Sequence, residues 1–174
     1  SDLSIDKVGT GYSLSATAVN LAGATSATFI ISAGAPWGIA PDAGDGQTAT
    51  VGTAVAIAPT VKVFDANDNP VAGVAVTFAV ASGGGTVSLT TPVLTDVNGI
   101  AKATVWTLGT TAGPNSLTAT SGTLAGSPVT FSATGTAGAA TQVAPQAGDG
   151  QTATVGTAVA VAPAVIVRDQ FRNP

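Results

Sequence analysis

The side chains able to do chemistry in this sequence are few, and most of them stand in turns. Nine aspartates and five lysines or arginines carry all of the charge, and there is no histidine, cysteine, glutamate or methionine. Such a set excludes the Ser–His and Cys–His nucleophilic pairs and most transition-metal sites, which draw on imidazole or thiolate. Tyr12 is the sole phenol. Paired aspartates for acid–base work remain, but they lie in Gly- and Asn-rich stretches, where a short carboxylate hydrogen-bonds its own backbone. The chain is expected not to be an enzyme.

The densest oxygen cluster is Asp65-Ala66-Asn67-Asp68-Asn69-Pro70. Asp65, Asn67, Asp68 and Asn69, with Asp96 from the turn Thr95–Gly99, offer hard ligands of the kind calcium takes. A matching stretch, Asp169-Gln170-Phe171-Arg172-Asn173-Pro174, keeps the outline but places Arg172 where Asp68 stood. A ligand set required in each copy should not exchange an acid for a cation, so the expected role is turn architecture and no cofactor is required. Lys62 and Lys102 raise a lysine–carboxyl amide crosslink. That bond needs a buried lysine; both alternate outward, and Ile166 replaces Lys62 in the second copy.

Those comparisons rest on an internal repeat. The segment AGDGQTATVGTAVA occurs unchanged at 43–56 and 147–160, and IAPTVKVFDANDNP (57–70) continues as VAPAVIVRDQFRNP (161–174). Residues 11–34 also match 114–135 in pattern. The organisation expected is the C-terminal part of one repeat at 1–35, a complete repeat at 36–138, and the N-terminal part of another at 139–174. Short linkers are expected near 34–41 and 136–145, stiffened by Pro36, Pro41 and Pro145. Trp37, Asp45 and Gln47 lie just past the first boundary and are candidates for inter-domain contact. The alternative for the Asp45 loop is a turn and edge segment that closes its own sandwich.

Alternation with a period of two dominates 36–138. Val61 and Val63 are expected inward, with Lys62 and Phe64 outward; Val165 and Val167 are kept in the second copy while Ile166 and Arg168 replace the outward pair. Further inward sets are Val74, Val76, Phe78 and Val80; then Ala101, Ala103 and Val105; Leu117 and Ala119; and Val129, Phe131 and Ala133. A short strand is expected near 86–90, and Gly99 is expected at positive φ in its turn. Continuing the alternation puts Trp106 on the outer face beside Lys102, as a candidate surface contact for a ligand. A hydrophobic content of 45% with many β-branched residues supports packed strands over disorder. The fold class expected is all-β, as tandem immunoglobulin-like β-sandwich repeats.

The ordered set GDGQTATVGTAV, the run from Asp65 through Asn69-Pro70 to Phe78, GGGT, TDxxG at 95–99 and the stretch 101–120 resembles the bacterial immunoglobulin-like domain group 1 of invasin- and intimin-type surface proteins. That resemblance implies stacked sandwiches on a bacterial cell surface or in an extracellular fibre. The expected function is a structural stalk or spacer of an adhesin, presenting a distal functional region, with adjacent repeats of the same chain as its partners. Two alternatives are direct binding of a glycan or host protein, and homotypic fibre contacts through strand addition. With four more acids than bases, the chain lacks the electropositive footprint a nucleic-acid partner requires.

Overall fold

The computed structural model describes residues 3–88 and 91–174, and every regular element among them is a strand. In chain order these are β1 (Gly9–Tyr12), β2 (Ser15–Ala16), β3 (Ala24–Thr25), β4 (Phe29–Ile31), β5 (Gly38–Ala43), β6 (Gln47–Thr50), β7 (Thr60–Phe64) and β8 (Ala75–Ser82). They continue as β9 (Thr86–Val87), β10 (Val93–Leu94), β11 (Ile100–Lys102), β12 (Trp106–Thr107), β13 (Gly113–Thr120), β14 (Val129–Thr136), β15 (Gln142–Ala147) and β16 (Ala164–Arg168). The strand expected near 86–90 is present as β9; positions 89 and 90 lie outside the described residues.

Strands β5 to β14 build an immunoglobulin-like sandwich. One sheet runs β10-β8-β13-β14-β6 and the other β11-β7-β5, with the pair β12-β9 beside them. All pairings within it are antiparallel except β14 with β6. Consecutive strands β5 and β6 belong to different sheets, so Gly44-Asp45-Gly46 is the corner at which the chain crosses the sandwich.

The inward sets meet between the sheets as expected. Val61, Val63, Val76, Phe78, Ala101, Ala103, Leu117, Ala119, Val129, Phe131 and Ala133 are buried in one cluster, with Val74 and Val80 packed at its margin. Two assignments, Trp106 outward and Val105 inward, are overturned. Trp106 is 0% exposed and Val105 is 39% exposed, so the indole belongs to the core and is not a surface contact for a ligand. The cause is a break after β11. Residues 103–105 leave the ladder, with the Ala103 N–H donating to the Pro59 carbonyl at 2.9 Å. The alternation therefore slips by one before β12 pairs with β9, and Trp106 turns inward.

Gly99 has φ 74°, and a Cβ there would overlap the Val63 carbonyl oxygen, to which its turn is packed. Gly99→Ala is expected to destabilise the sandwich by more than the ~1–2 kcal/mol of a left-handed L-residue alone, measured by urea unfolding. An effect within about 0.5 kcal/mol, the range of neutral surface changes, would contradict the packing described.

The flanks are hairpins, β1 with β4 and β2 with β3 on one side and β15 with β16 on the other. Identical residues differ sharply in burial between copies: Val51 is 2% exposed and Val155 100%, while Val61 is 0% and Val165 63%. Among the described residues β15 and β16 pair only with each other, whereas β5 and β7 belong to a sandwich that also holds β8, β13 and β14. The connections into and out of the sandwich are shorter than the expected linkers. Pro41 and Pro145 lie inside β5 and β15, each at a register shift, where an edge strand tolerates a missing N–H.

Candidate functional site

The turn after β7 and the turn after β16 do the same thing at the two ends of the sandwich. In the first, Asp65 Oδ1 accepts the N–H groups of Asn67 and Asn69, both at 2.9 Å, which folds the loop onto its own carboxylate. Its other oxygen accepts the Gly34 N–H at 2.8 Å, from the segment before the sandwich. Asn69 then bridges to that segment twice: its Nδ2 donates to the Asp6 carbonyl at 2.7 Å, and its Oδ1 accepts the Val8 N–H at 3.1 Å. A side-chain amide here imitates a peptide group and pairs with a loop as a neighbouring strand would.

The second joint reproduces this bond for bond. Asp169 Oδ1 accepts the N–H groups of Phe171 and Asn173, both at 2.8 Å, and Oδ2 accepts that of Gly138 at 2.9 Å. Asn173 donates to the Thr110 carbonyl at 2.9 Å and accepts from the Ala112 N–H at 2.8 Å. Asp65, Asn69, Asp169 and Asn173 are all buried. The Gly34 N–H above all, joined by those of Asn69 and Asn67, holds Asp65 well below the usual carboxylate range despite burial. Burial pushes Asp169 upward, but the Asn173 amide and the Gly138, Asn173 and Phe171 N–H groups outweigh it and bring the group to about 2.

This arrangement redistributes the residues singled out in the sequence. Asp65 and Asn69, weighed for calcium, form the joint. Asn67 and Asp68 are exposed in the loop tip, and Asp68 adopts a left-handed φ of 61°, as Arg172 does at 71°. Their side chains stand outside the bond network, which explains how an acid and a cation alternate at that position. Asp96 is committed to its own turn, accepting from Asn98 at 2.8 Å and Ile100 at 2.9 Å, with the Ile100 N–H chiefly holding its pKa down. Among the described residues no group of three acidic side chains converges. With the carboxylate oxygens of Asp65 and Asp169 already saturated by N–H donors, the melting temperature is expected to be equal with and without a calcium chelator. A drop on chelation would show that an ion competes for these oxygens.

Asp45 and Gln47 close their own sandwich and do not reach a neighbour. Asp45 Oδ1 accepts from the Ser132 N–H at 2.7 Å, its hydroxyl at 2.9 Å and the Gly46 N–H at 2.8 Å; the Ser132 N–H chiefly lowers its pKa. Gln47 Nε2 donates to the Gly44 and Ile57 carbonyls, and its Oε1 accepts the Ile57 N–H. Gln151 makes the same three bonds in the second copy, whereas Asp149 retains only Gly150. Of the three contact candidates, Trp37 alone lies at a joint. It lines a crease of about 260 Å³ with Gly34, Pro36 and Asp65.

The two joints differ outside the shared bonds. At the first, Lys7 donates to the Asn67 carbonyl at 3.1 Å. At the second, Phe171 occupies the equivalent position, and its ring lies against Gly52 in a crease of about 440 Å³ lined by Gly83–Gly85. Chemically the site holds chain segments together; its polar atoms are spent on one another.

A search of curated proteins gave no match to the chain. Residues 43–125 match the family model of the bacterial Ig-like domain, group 1. Domains of that family are found in bacterial surface proteins such as those of invasin and intimin type, and theirs is a non-catalytic structural fold. The match lies inside the two-sheet module whose ends carry these joints, so that module is similar to a bacterial Ig-like domain of group 1.

Proposed function

We propose that the chain is a stretch of stalk from a bacterial cell-surface adhesin or extracellular fibre, in which Ig-like repeats act as spacers presenting a functional region carried elsewhere. The observation behind this reading is the duplication of one joint. The Asp–Asn turn clasps the loop and glycine before it at both ends of the sandwich. A joint made only to cap a domain has no reason to recur with the same bonds on a second turn. In this reading 1–35 and 139–174 are parts of neighbouring repeats, and rigidity at each joint turns domain number into reach.

Spin labels placed on either side of each joint test it. Narrow distance distributions, unchanged between low and moderate salt, are the expected result, since buried bonds are little screened. Broad distributions spanning many ångströms would mean a flexible string of domains, unsuited to holding a distal region away from a surface.

A further inference from the structure

Strand β7 carries Lys62 and Phe64, both half-buried, on the outer face of the short sheet. The register puts Ala40, Lys62 and Ile100 side by side across β5, β7 and β11, with Lys102 one outward position further along β11. Phe64 lies flat across Gly38 of β5, where any Cβ would come within 2.7 Å of its ring. Trp37 leans against it with ring centroids 6.0 Å apart and is 56% exposed. The result is a shelf with aromatic rings at the joint end and ammonium groups beyond. Among the described residues, Lys7 is the lysine that donates a hydrogen bond, so Lys62 and Lys102 are free. Asp42, at the border of the shelf, accepts from the Thr60 hydroxyl at 2.9 Å.

None of this is demanded by the fold. The second copy places Thr141, Gln142, Ile166 and Arg168 where the first has Trp37, Gly38, Lys62 and Phe64. Two of the five basic residues in a chain of net charge −4 share this face with its exposed tryptophan.

We infer that the outer face of β5-β7-β11 binds an anionic saccharide. Trp37 and Phe64 offer the apolar platform on which a sugar ring stacks, and Lys62 and Lys102 pair with its carboxylates or sulfates. Size decides against a protein partner. Three strands by four residue steps give a shelf of about 10 Å by 13 Å, far below the ~800 Å² a side that a stable protein interface needs.

The test uses the 174-residue chain and tryptophan fluorescence, which reports Trp37 selectively because Trp106 is 0% exposed. The probes are a tetrasaccharide of alternating glucuronate and N-acetylglucosamine, a neutral N-acetylglucosamine tetramer and a polyglutamate peptide. Saturable quenching by the first is expected, weakening with salt, with affinity at least about tenfold above the other two. Lys62→Glu with Lys102→Glu should lower that affinity by about tenfold or more. Trp37→Ala, followed by calorimetry, should do the same. Lys102 and Trp37 are exposed and Lys62 is half-buried, and an unchanged melting temperature verifies the fold of each variant. No binding at millimolar probe, equal affinity for the neutral tetramer or the peptide, or variants that bind as the parent does would each overturn the assignment.

Discussion

Replacing Trp106 with alanine is expected to cost the sandwich about 3–5 kcal/mol. The indole is 0% exposed and belongs to the cluster that joins the two sheets. Its backbone also helps close that end, since the Val55 N–H donates to the Trp106 carbonyl at 3.0 Å. Truncation removes the transfer free energy of a large aromatic side chain and leaves a cavity between rigid sheets that cannot collapse onto it. One feature works in the opposite direction: Nε1 is buried without an acceptor. Trp106→Phe should therefore cost much less than Trp106→Ala, because it keeps ring volume and deletes an unsatisfied donor. Urea unfolding of the three proteins measures both effects. A loss below about 1 kcal/mol for the alanine variant would mean that the indole is not part of the core.

The second large effect concerns the joints. Asn69→Ala or Asn173→Ala leaves a loop carbonyl, a loop N–H and part of a carboxylate without a partner, at about 1–3 kcal/mol for each substitution. The distance distribution across the altered joint should broaden while the other joint stays narrow; broadening at neither would refute the bridging role. Acid should have the same outcome at both joints in the unaltered chain. Asp65 and Asp169 have folded-state pKa values below the ordinary 3.8. Their contribution is complete above that value and is lost as pH falls through the folded one, about 2 for Asp169. Joint geometry should thus be constant from neutral pH to about 4 and fail only in stronger acid.

Much of the fold is legible in the alternation, because a residue on a half-buried strand announces its face through its neighbours two positions away. Val61, Val63, Leu117 and Phe131 read as inward on that basis and are buried. Trp106 reads as outward only while the alternation runs unbroken through residues 103–105, where the chain leaves one sheet and the parity changes. A bulky apolar side chain has most to gain from burial, yet size alone does not settle the face, since Trp37 is 56% exposed. The joint was half visible. Asp65 and Asn69 recur as Asp169 and Asn173 while the three residues between them all change, which marks two fixed positions. Their partners could not be read, because they are main-chain atoms 31 residues away for Asp65 and 61 and 63 away for Asn69, and main chain leaves no trace in side-chain identity.

That last property has a consequence for how such a protein changes over generations. Across each joint, Asp65 and Asn69, like Asp169 and Asn173, bind peptide groups of the neighbouring segment and none of its side chains. A connector of this kind imposes no pairing code, so a duplicated copy fits wherever recombination inserts it, and a deleted one leaves compatible ends behind. In a stalk of such repeats, as proposed above, length could then change in whole units without a compensating substitution at these bonds. The faces turned to solvent, such as the one bearing Trp37 and Lys62, are meanwhile free to diverge copy by copy.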